Sequence, residues 1–412
     1  MKKPQNIFIV LMFLCYFLIS TDSIACTSAI ISGRVTSDGR PILWKNRDTD
    51  AAQNLIKYFY GGKYTFIGVC QTNNDNPKSV WVGTNEKGFA IMNTMSYNIL
   101  KDENEETGNN GLMMKQALEN CASVDEFEQM LLALPKPWLV STNYGVIDAQ
   151  GNAAYFEVNN DEYYKYDVND TKVAPLGYIV RTNFSFAGNT ETGKGYVRYL
   201  QADNVVKQAI MQNEMTPQFI FNNLARSFAN PLMGIDLKSG NFNKPKTTGW
   251  FVEQDFITRK YSTCSVVVQG VKEGEQALFT TMWTIIGYPG TTPAIPVWVY
   301  GGEEGLSSLL TKNENGLSTI ANKGYILKES VYSYTIEKSN SEKYFNWEML
   351  FNLEGTGYMQ IVESIERQVL EKYQRALEKW RSQGNINIRE LKKINQECGD
   401  YIIKRYSDEF NL

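Results

Sequence analysis

The chain has 412 residues, 43% of them hydrophobic and 21% charged, the balance of a soluble globular protein with enough apolar material for a sizeable core. Its formal net charge of −4, without a basic stripe, argues against a nucleic-acid partner and leaves no polybasic patch for a membrane surface. It contains no histidine, so serine triads, Cys–His dyads and His-ligated zinc are excluded, and any general base must be a carboxylate, a lysine or an α-amine.

The chain opens Met1-Lys2-Lys3, runs through an almost unbroken apolar stretch at 7–20, and reaches Ser23-Ile24-Ala25. That stretch is short for a transmembrane helix, and a basic start with a small-x-small end reads as a secretory signal over 1–25. Removal by signal peptidase after Ala25 makes Cys26 the first residue of an exported, periplasmic or extracellular protein. Three readings of Cys26 stay open here. It is an N-terminal nucleophile, or the lipidated residue of a surface lipoprotein, or a structural cysteine. A lipobox usually has a Leu-like residue where this chain has Ser23. Five cysteines follow the leader, Cys26, Cys70, Cys121, Cys264 and Cys398, an odd number without a Cys-x-x-Cys, so neither a disulfide scaffold nor a zinc knuckle is expected. Cys121 and Cys264 lie in apolar segments and read as buried.

Cys26-Thr27-Ser28-Ala29-Ile30-Ile31 is strand-like, Ser37-Asp38-Gly39-Arg40-Pro41 is a turn, and Ile42-Leu43-Trp44 begins the return strand, so 26–48 reads as a β-hairpin. Further strands are expected at 64–69, 80–84 and 89–96, and helices at 110–122 and 124–134 from their apolar spacing. Strands follow at 144–148, 153–158, 163–168 and 178–182, helices at 197–211 and 217–225, and strands at 263–271, 277–281 and 297–300. Residues 312–322 look like a linker. Two charged, periodic segments at 358–381 and 388–405, broken at Gly384-Asn385, read as amphipathic helices that pack against the body or a partner in a homo-oligomer. The expected organisation is a signal at 1–25, one domain at 26–340 and a helical extension at 341–412. Its class is α+β, because strands, helices and more strands come in blocks rather than in strict alternation.

An N-terminal cysteine carries nucleophile and base on one residue. A free thiol titrates near ~8.5 and a free α-amine near ~7.7–8.0. The neutral amine can take the thiol proton, directly or through one water, and later deliver it to a leaving amine. This needs no histidine, and a leader that blocks the amine as an amide keeps the precursor silent. Acyl transfer also needs a carboxylate to orient the pair and donors for the oxyanion. Lys45-Asn46-Arg47-Asp48 ends the return strand, and a hairpin brings its far ends together, so Asp48 is expected close to Cys26 with Lys45 beside it.

These segments, Cys26-Thr27-Ser28, Ser37-Asp38-Gly39 and Lys45-Asn46-Arg47-Asp48, resemble the opening of the N-terminal-nucleophile amide hydrolases. That group includes choloylglycine hydrolases, penicillin V acylases and acid-ceramidase-type enzymes. The closest resemblance is to the acyl-coenzyme A:6-aminopenicillanic acid acyltransferase-like, or linear amide C–N hydrolase, family. Gly83-Thr84-Asn85-Glu86-Lys87-Gly88-Phe89-Ala90, Ala154-Tyr155-Phe156-Glu157-Val158 and Val180-Arg181-Thr182-Asn183-Phe184 extend it, so that it spans about 26–300. The resemblance implies a four-layer αββα sandwich. It implies Cys26 as nucleophile, its amine as base, Asp48 as the orienting carboxylate and Asn183 as a side-chain oxyanion donor.

Departures bear on specificity. Bile-salt-cleaving relatives carry Arg where this chain has Lys45, a point charge instead of a planar fork. Where they have an Asn after the Gly-hydrophobic-Ala strand, this chain has Met95, with Asn93 two residues earlier on the same face. Arg259 falls where those relatives have a later Arg. Asn93 and Arg259 are therefore taken as substrate-binding candidates.

The function expected is hydrolysis of a linear amide in a small N-acyl amine or N-acyl amino acid through an acyl-thioester on Cys26, without cofactor or metal. An acyltransferase would use the same residues with an amine in place of water, and peptide hydrolysis is a third variant. The alternative of another class is a non-enzymatic lipoprotein anchored at Cys26.

Overall fold

The computed structural model describes residues 25–51, 53–71, 76–102, 104–239, 249–334 and 344–412. The expected leader, Ala25 excepted, and the expected boundary at 340/341 lie outside the described residues.

The N-terminal hairpin forms from β1 (Cys26–Ile31) and β2 (Ile42–Asp48). A seven-stranded antiparallel meander follows: β3 (Asn54–Phe59), β4 (Phe66–Gln71), β5 (Val82–Asn85), β6 (Ala90–Met95), β7 (Thr142–Ile147), β8 (Ala153–Val158) and β9 (Tyr163–Asp167). Helices α1 (Asn110–Asn120) and α2 (Val124–Ala133) interrupt it between β6 and β7. Strand β10 (Tyr178–Arg181) returns to the hairpin sheet, and α3 (Tyr196–Met211) and the short α4 (Pro217–Ile220), with a π-turn at Phe221–Ala225, come next. Two small ribbons stand apart, β11 (Ala229–Asn230) with β12 (Ile235–Asp236), and β13 (Trp250–Val252) with the later β17. Strands β14 (Ser262–Gln269), β15 (Thr281–Ile286) and β16 (Ile295–Val297) complete the second sheet, in the order β10-β1-β2-β14-β15-β16. The chain ends with α5 (Thr319–Val331), β17 (Tyr344–Asn346), α6 (Trp347–Leu350), α7 (Tyr358–Gln383) and α8 (Ile388–Phe410).

Both sheets are covered on both faces, which is why their strands are apolar along most of their length instead of alternating. In β6, Ala90 and Met92 enter the core shared with β1 and β2, while Ile91 packs with Phe89, Met114 and Phe127 under α1 and α2. On the outer face of the other sheet lie Ala202 and Val206 of α3 and Val362, Val369, Tyr373 and Trp380 of α7. The layers run helix, sheet, sheet, helix: the αββα sandwich of an α+β protein. A free-standing ion pair in this core would be costly, and Arg226 and Glu366, both fully buried, are joined by two bonds of 2.8 and 2.7 Å that tie α7 to the body.

Several elements differ from expectation. Residues 277–281 hold a 3-10 turn, Ala277–Phe279, and the strand starts only at Thr281, opposite Gln269. Short apolar runs do not reveal which conformation they take. Likewise β16 ends at Val297 and Val299–Gly301 turns away. The linker-like segment 312–322 leads into α5, capped by Ser318, whose hydroxyl accepts from the Ala321 amide. Gly324 weakens the helical signal of α5, yet a Cβ there would lie 2.1 Å from the Thr292 hydroxyl, so packing requires the glycine. Strand β3 was not expected at all.

Candidate active site

Register fixes the neighbours of Cys26. In β2 Arg47 lies directly opposite it, and in β14 Cys264 lies opposite Arg47. Ser28 likewise pairs with Lys45. On its other side β1 pairs with β10, Ser28 opposite Arg181, and two residues further along that register Asn183 stands beside Cys26. Cross-strand partners share a face of the sheet, and adjacent residues take opposite faces. Cys26, Arg47, Cys264, Ser28 and Lys45 therefore look into the gap between the sheets. Thr27, Asn46 and Asp48 look toward α3 and the segment before β14.

In the gap, Lys45 Nζ donates to the carbonyl of Trp81 and to Oδ1 of Asn93, both at 2.8 Å. Two residues singled out separately in the sequence thus meet. Asn93 in turn donates from Nδ2 to the Thr142 hydroxyl at 3.0 Å, which fixes its amide orientation. Burial lowers Lys45 from 10.5 to about 8, against the opposing charge of Cys26. Arg47 donates to Asn54 Oδ1 at 2.8 Å and lies 4.7 Å from the centre of the Trp81 ring. Ser28 shares a 2.9 Å hydrogen bond with the Tyr155 hydroxyl of the facing sheet.

On the other face, Asp48 accepts from Arg259 Nε at 2.8 Å, from the Ser262 hydroxyl at 2.7 Å and from Asn46 Nδ2 at 3.1 Å. Burial pushes its carboxyl up, and the Arg259 and Arg198 charges pull it back down. Among the described residues no hydrogen bond joins Asp48 to Cys26. The link is indirect: Arg259 Nη1 reaches Asp255 at 2.9 Å, Asp255 accepts from Arg198 Nε at 3.1 Å, and Arg198 touches Cys26 itself. Asp48 follows Arg47 and so points to the opposite face of β2, and the hydrogen-bonded route from it to Cys26 runs through Arg259, Asp255 and Arg198.

Asn183 bridges the two groups. Its Oδ1 accepts from the Cys26 nitrogen at 2.8 Å and from Arg198 Nη2 at 3.0 Å, and its Nδ2 donates to the Met95 carbonyl at 2.8 Å. A guanidinium only donates and a carbonyl only accepts, so the amide can sit only this way round. One Nδ2 hydrogen is left without a protein acceptor among these contacts.

Sequence reasoning missed Arg198, Asp255 and the row of Arg47 and Cys264. Arg198 had a signal. It lies on the buried stripe of α3 with Ala202, Val206 and Ala209, and an arginine in an apolar stripe needs a partner. All five described cysteines are free and buried. Burial pushes Cys70 and Cys121 up to about 12 and Cys264 and Cys398 up to about 11, so these four are inert thiols near neutrality. A polar groove of about 770 Å³ runs beside α3, lined by Gln201, Gln208, Asn222 and Lys238 among others, and none of the predicted site residues lines it. No helix of the described residues is long and apolar enough to cross a membrane.

A profile of the family described as acyl-coenzyme A:6-aminopenicillanic acid acyl-transferase matches residues 35–237. The matched span contains Lys45, Asp48, Asn93, Asn183 and Arg198, and it begins after Cys26 and ends before Arg259. No curated protein matches the sequence. Among solved structures, the chain is similar to the Caenorhabditis elegans ortholog of N-acylethanolamine-hydrolyzing acid amidase, at 15% identity over 59% of this chain and 92% of that one, with a TM-score of 0.42. It is similar to a variant of conjugated bile acid hydrolase from Clostridium perfringens, at 13% identity over 66% and 92%, TM-score 0.39. It is also similar to penicillin V acylase from Agrobacterium tumefaciens, at 14% identity over 66% and 86%, TM-score 0.39.

Proposed function

The chain belongs to the acyl-coenzyme A:6-aminopenicillanic acid acyl-transferase family of N-terminal-nucleophile enzymes, and from that premise we propose that it is an exported amidase whose nucleophile is the Cys26 thiol. The observation that carries the reading is the 2.8 Å hydrogen bond from the Cys26 nitrogen to Asn183 Oδ1. Once the leader is gone, that nitrogen is an α-amine. Donating one hydrogen to Asn183 holds it in place and leaves its lone pair for the thiol proton. Sulfur attacks the acyl carbonyl, and the amine receives the thiol proton and passes it to the departing amine. Water then cleaves the thioester by the reverse proton path. The free hydrogen on Asn183 Nδ2 serves the oxyanion, and the Lys45 cation, within electrostatic reach of Cys26, favours the developing negative charge. Asp48 orients the pair through Arg259, Asp255 and Arg198.

The substrate is a small acyl amide. Asn93 faces the gap and Arg259 the opposite side of β2, so of the two only Asn93 lies on the thiol's side of the sheet. The same residues serve an acyltransferase when an amine replaces water. Export rests on the leader-like sequence, and Cys26 as a lipid anchor is the competing reading.

Edman sequencing and intact mass of the exported protein test the terminus: a free Cys26 is expected, and a diacylglyceryl adduct favours the anchor. Turnover is then measured on N-acyl amino acids, N-acylethanolamines, conjugated bile acids and penicillin V. Cys26→Ala should abolish it, and Cys26→Ser should be slow because a hydroxyl is far less acidic than a thiol. A Cys26→Ala protein as fast as wild type ends the proposal.

A further inference from the structure

Arg47 is the cross-strand neighbour of Cys26 on the face that looks into the gap, and it is 4% exposed. Such a pair keeps its Cβ atoms about 4.5–5.5 Å apart, so a group bound to the guanidinium lies within a short molecule's length of the sulfur. Arg40, Arg181, Arg198 and Arg226, the other arginines buried among the described residues, each bond a carboxylate: Glu275, Glu157, Asp255 and Glu366 in turn. Arg47 bonds none. Its Nη1 donates to the neutral Asn54 Oδ1 at 2.8 Å and its guanidinium stacks on the Trp81 ring, while among the described residues Nε and Nη2 donate to nothing. Asp50 acts on it only through space, from an exposed position. Lys45, two residues earlier on the same face and 1% exposed, also has only neutral partners, the Trp81 carbonyl and Asn93. A buried cation without a bonded counter-charge is costly, and here two stand together beside the nucleophile.

We propose that Arg47 binds a carboxylate of the substrate and so makes the site selective for acidic acyl amides over neutral ones. The free edge of the guanidinium suits that ligand. Nε and Nη2 lie side by side and offer two parallel N–H bonds, the geometry a carboxylate matches. Arg40 uses the same edge in this chain: its Nε and Nη2 reach the two oxygens of Glu275, each at 2.8 Å. Asn54 and Trp81 hold the Arg47 guanidinium without neutralising it. Ala25, joined to the Cys26 nitrogen, is itself 3% exposed, so loss of the leader empties buried space at the strand end where Cys26 faces Arg47. The short reach from guanidinium to sulfur puts the carboxylate close to the scissile bond. It sits either on the amine half, as in an N-acyl amino acid, or on the acyl half, as in the monoamide of a dicarboxylic acid.

This role for Arg47 deepens the amidase reading and rests on it. The processed full-length protein is assayed on two matched pairs. N-octanoylglycine against N-octanoylglycinamide tests a carboxylate on the amine half, by octanoate release. Glutaric acid monoanilide against its methyl ester tests one on the acyl half, by aniline release. In at least one pair wild type should cleave the acid with a kcat/KM at least about tenfold above its neutral partner, and Arg47→Met should bring that ratio near one. The pair that shows the preference identifies the half that carries the carboxylate. Cleavage of neither acid, a ratio near one in both pairs, or a preference that Arg47→Met retains overturns the role of Arg47. The Met variant strands no carboxylate, so its urea midpoint should be no lower than that of wild type. Failure of Arg47→Met to fold also overturns the role, because the guanidinium is then structural. A mature terminus other than Cys26, read by Edman sequencing, overturns the reading beneath it.

Discussion

The nitrogen of Cys26 and the side-chain oxygen of Asn183, 157 residues apart in sequence, are joined by a 2.8 Å hydrogen bond in the core of the sandwich. The bond gives Asn183 an acceptor role beside the donor role that family resemblance suggests for it. In that resemblance it is a donor to an oxyanion; here its oxygen accepts from the Cys26 nitrogen and from Arg198, and its amide donates to the Met95 carbonyl.

That double use separates two variants. Asn183→Ala removes both functions and should lower kcat by about 10²–10³, the usual cost of one oxyanion donor, with an added loss from the unanchored nitrogen. Asn183→Asp keeps an acceptor for the nitrogen and for Arg198 but removes the amide hydrogens. It should retain the mature terminus while losing turnover on whichever acyl amide wild type cleaves. Turnover by Asn183→Asp near the wild-type rate would take Asn183 out of the oxyanion site.

Lys45 gives a pH signature in stability. Its folded-state value, about 8, lies below the 10.5 of an exposed lysine because burial disfavours the charged form. Between about 8 and 10.5 the unfolded chain therefore binds the extra proton, and stability rises with pH across that window. The shift corresponds to at most about 3 kcal/mol. Urea unfolding at pH 7.5 and pH 10 should show that rise in wild type, and Lys45→Met should lack part of it. Lys328, also lowered to about 8 by burial, contributes over the same window, so the difference between the two proteins is the informative quantity. The Met variant should also be slower at pH 7 by roughly tenfold or more, having lost a cation on the gap face of the sheet that Cys26 shares. Identical pH dependence in both proteins would mean Lys45 is not titrating as a buried cation.

How much of this was legible in the sequence depends on range. The hairpin could be read because a Ser-Asp-Gly turn and two apolar strands lie within 23 residues, and it put Cys26 beside the Lys45–Asp48 strand. The strand period also dictates that Arg47, opposite Cys26, and Asp48, next to it, take opposite faces. Applied at that point, it would have put the Asp48 carboxylate and the Cys26 thiol on opposite faces of the sheet. The Lys45–Asn93 contact required knowing that two sheets stack, and the Asp48–Arg259–Asp255–Arg198 chain joins residues up to 211 positions apart. Neither carries a local signal. Arg198 carried one, a charge in the apolar stripe of α3, which was read as an ordinary helix. Helix α5 was hidden because Gly324, required by close packing against Thr292, lowers helix propensity where the helix most needs it.

The C-terminal helices make a separate prediction about stability. Glu366 of α7 is 1% exposed and accepts from both Arg226 Nη atoms and from the Ala294 amide at 2.7 Å, while Arg226 Nε donates to the Pro289 carbonyl at 2.8 Å. Removing one partner leaves the other charge uncompensated, which typically costs about 3–5 kcal/mol. Glu366→Ala should lower the urea midpoint by a corresponding amount, while Glu366→Arg should fail to fold. Because apolar residues of similar volume often replace a buried pair without loss, Arg226→Met with Glu366→Leu should recover most of the stability lost by Glu366→Ala. The pair belongs to α7 and the segment after α4, not to the Cys26 site. The recovered double variant should therefore show wild-type alkylation of Cys26 across pH, and a displaced profile would mean that α7 docking is coupled to the site.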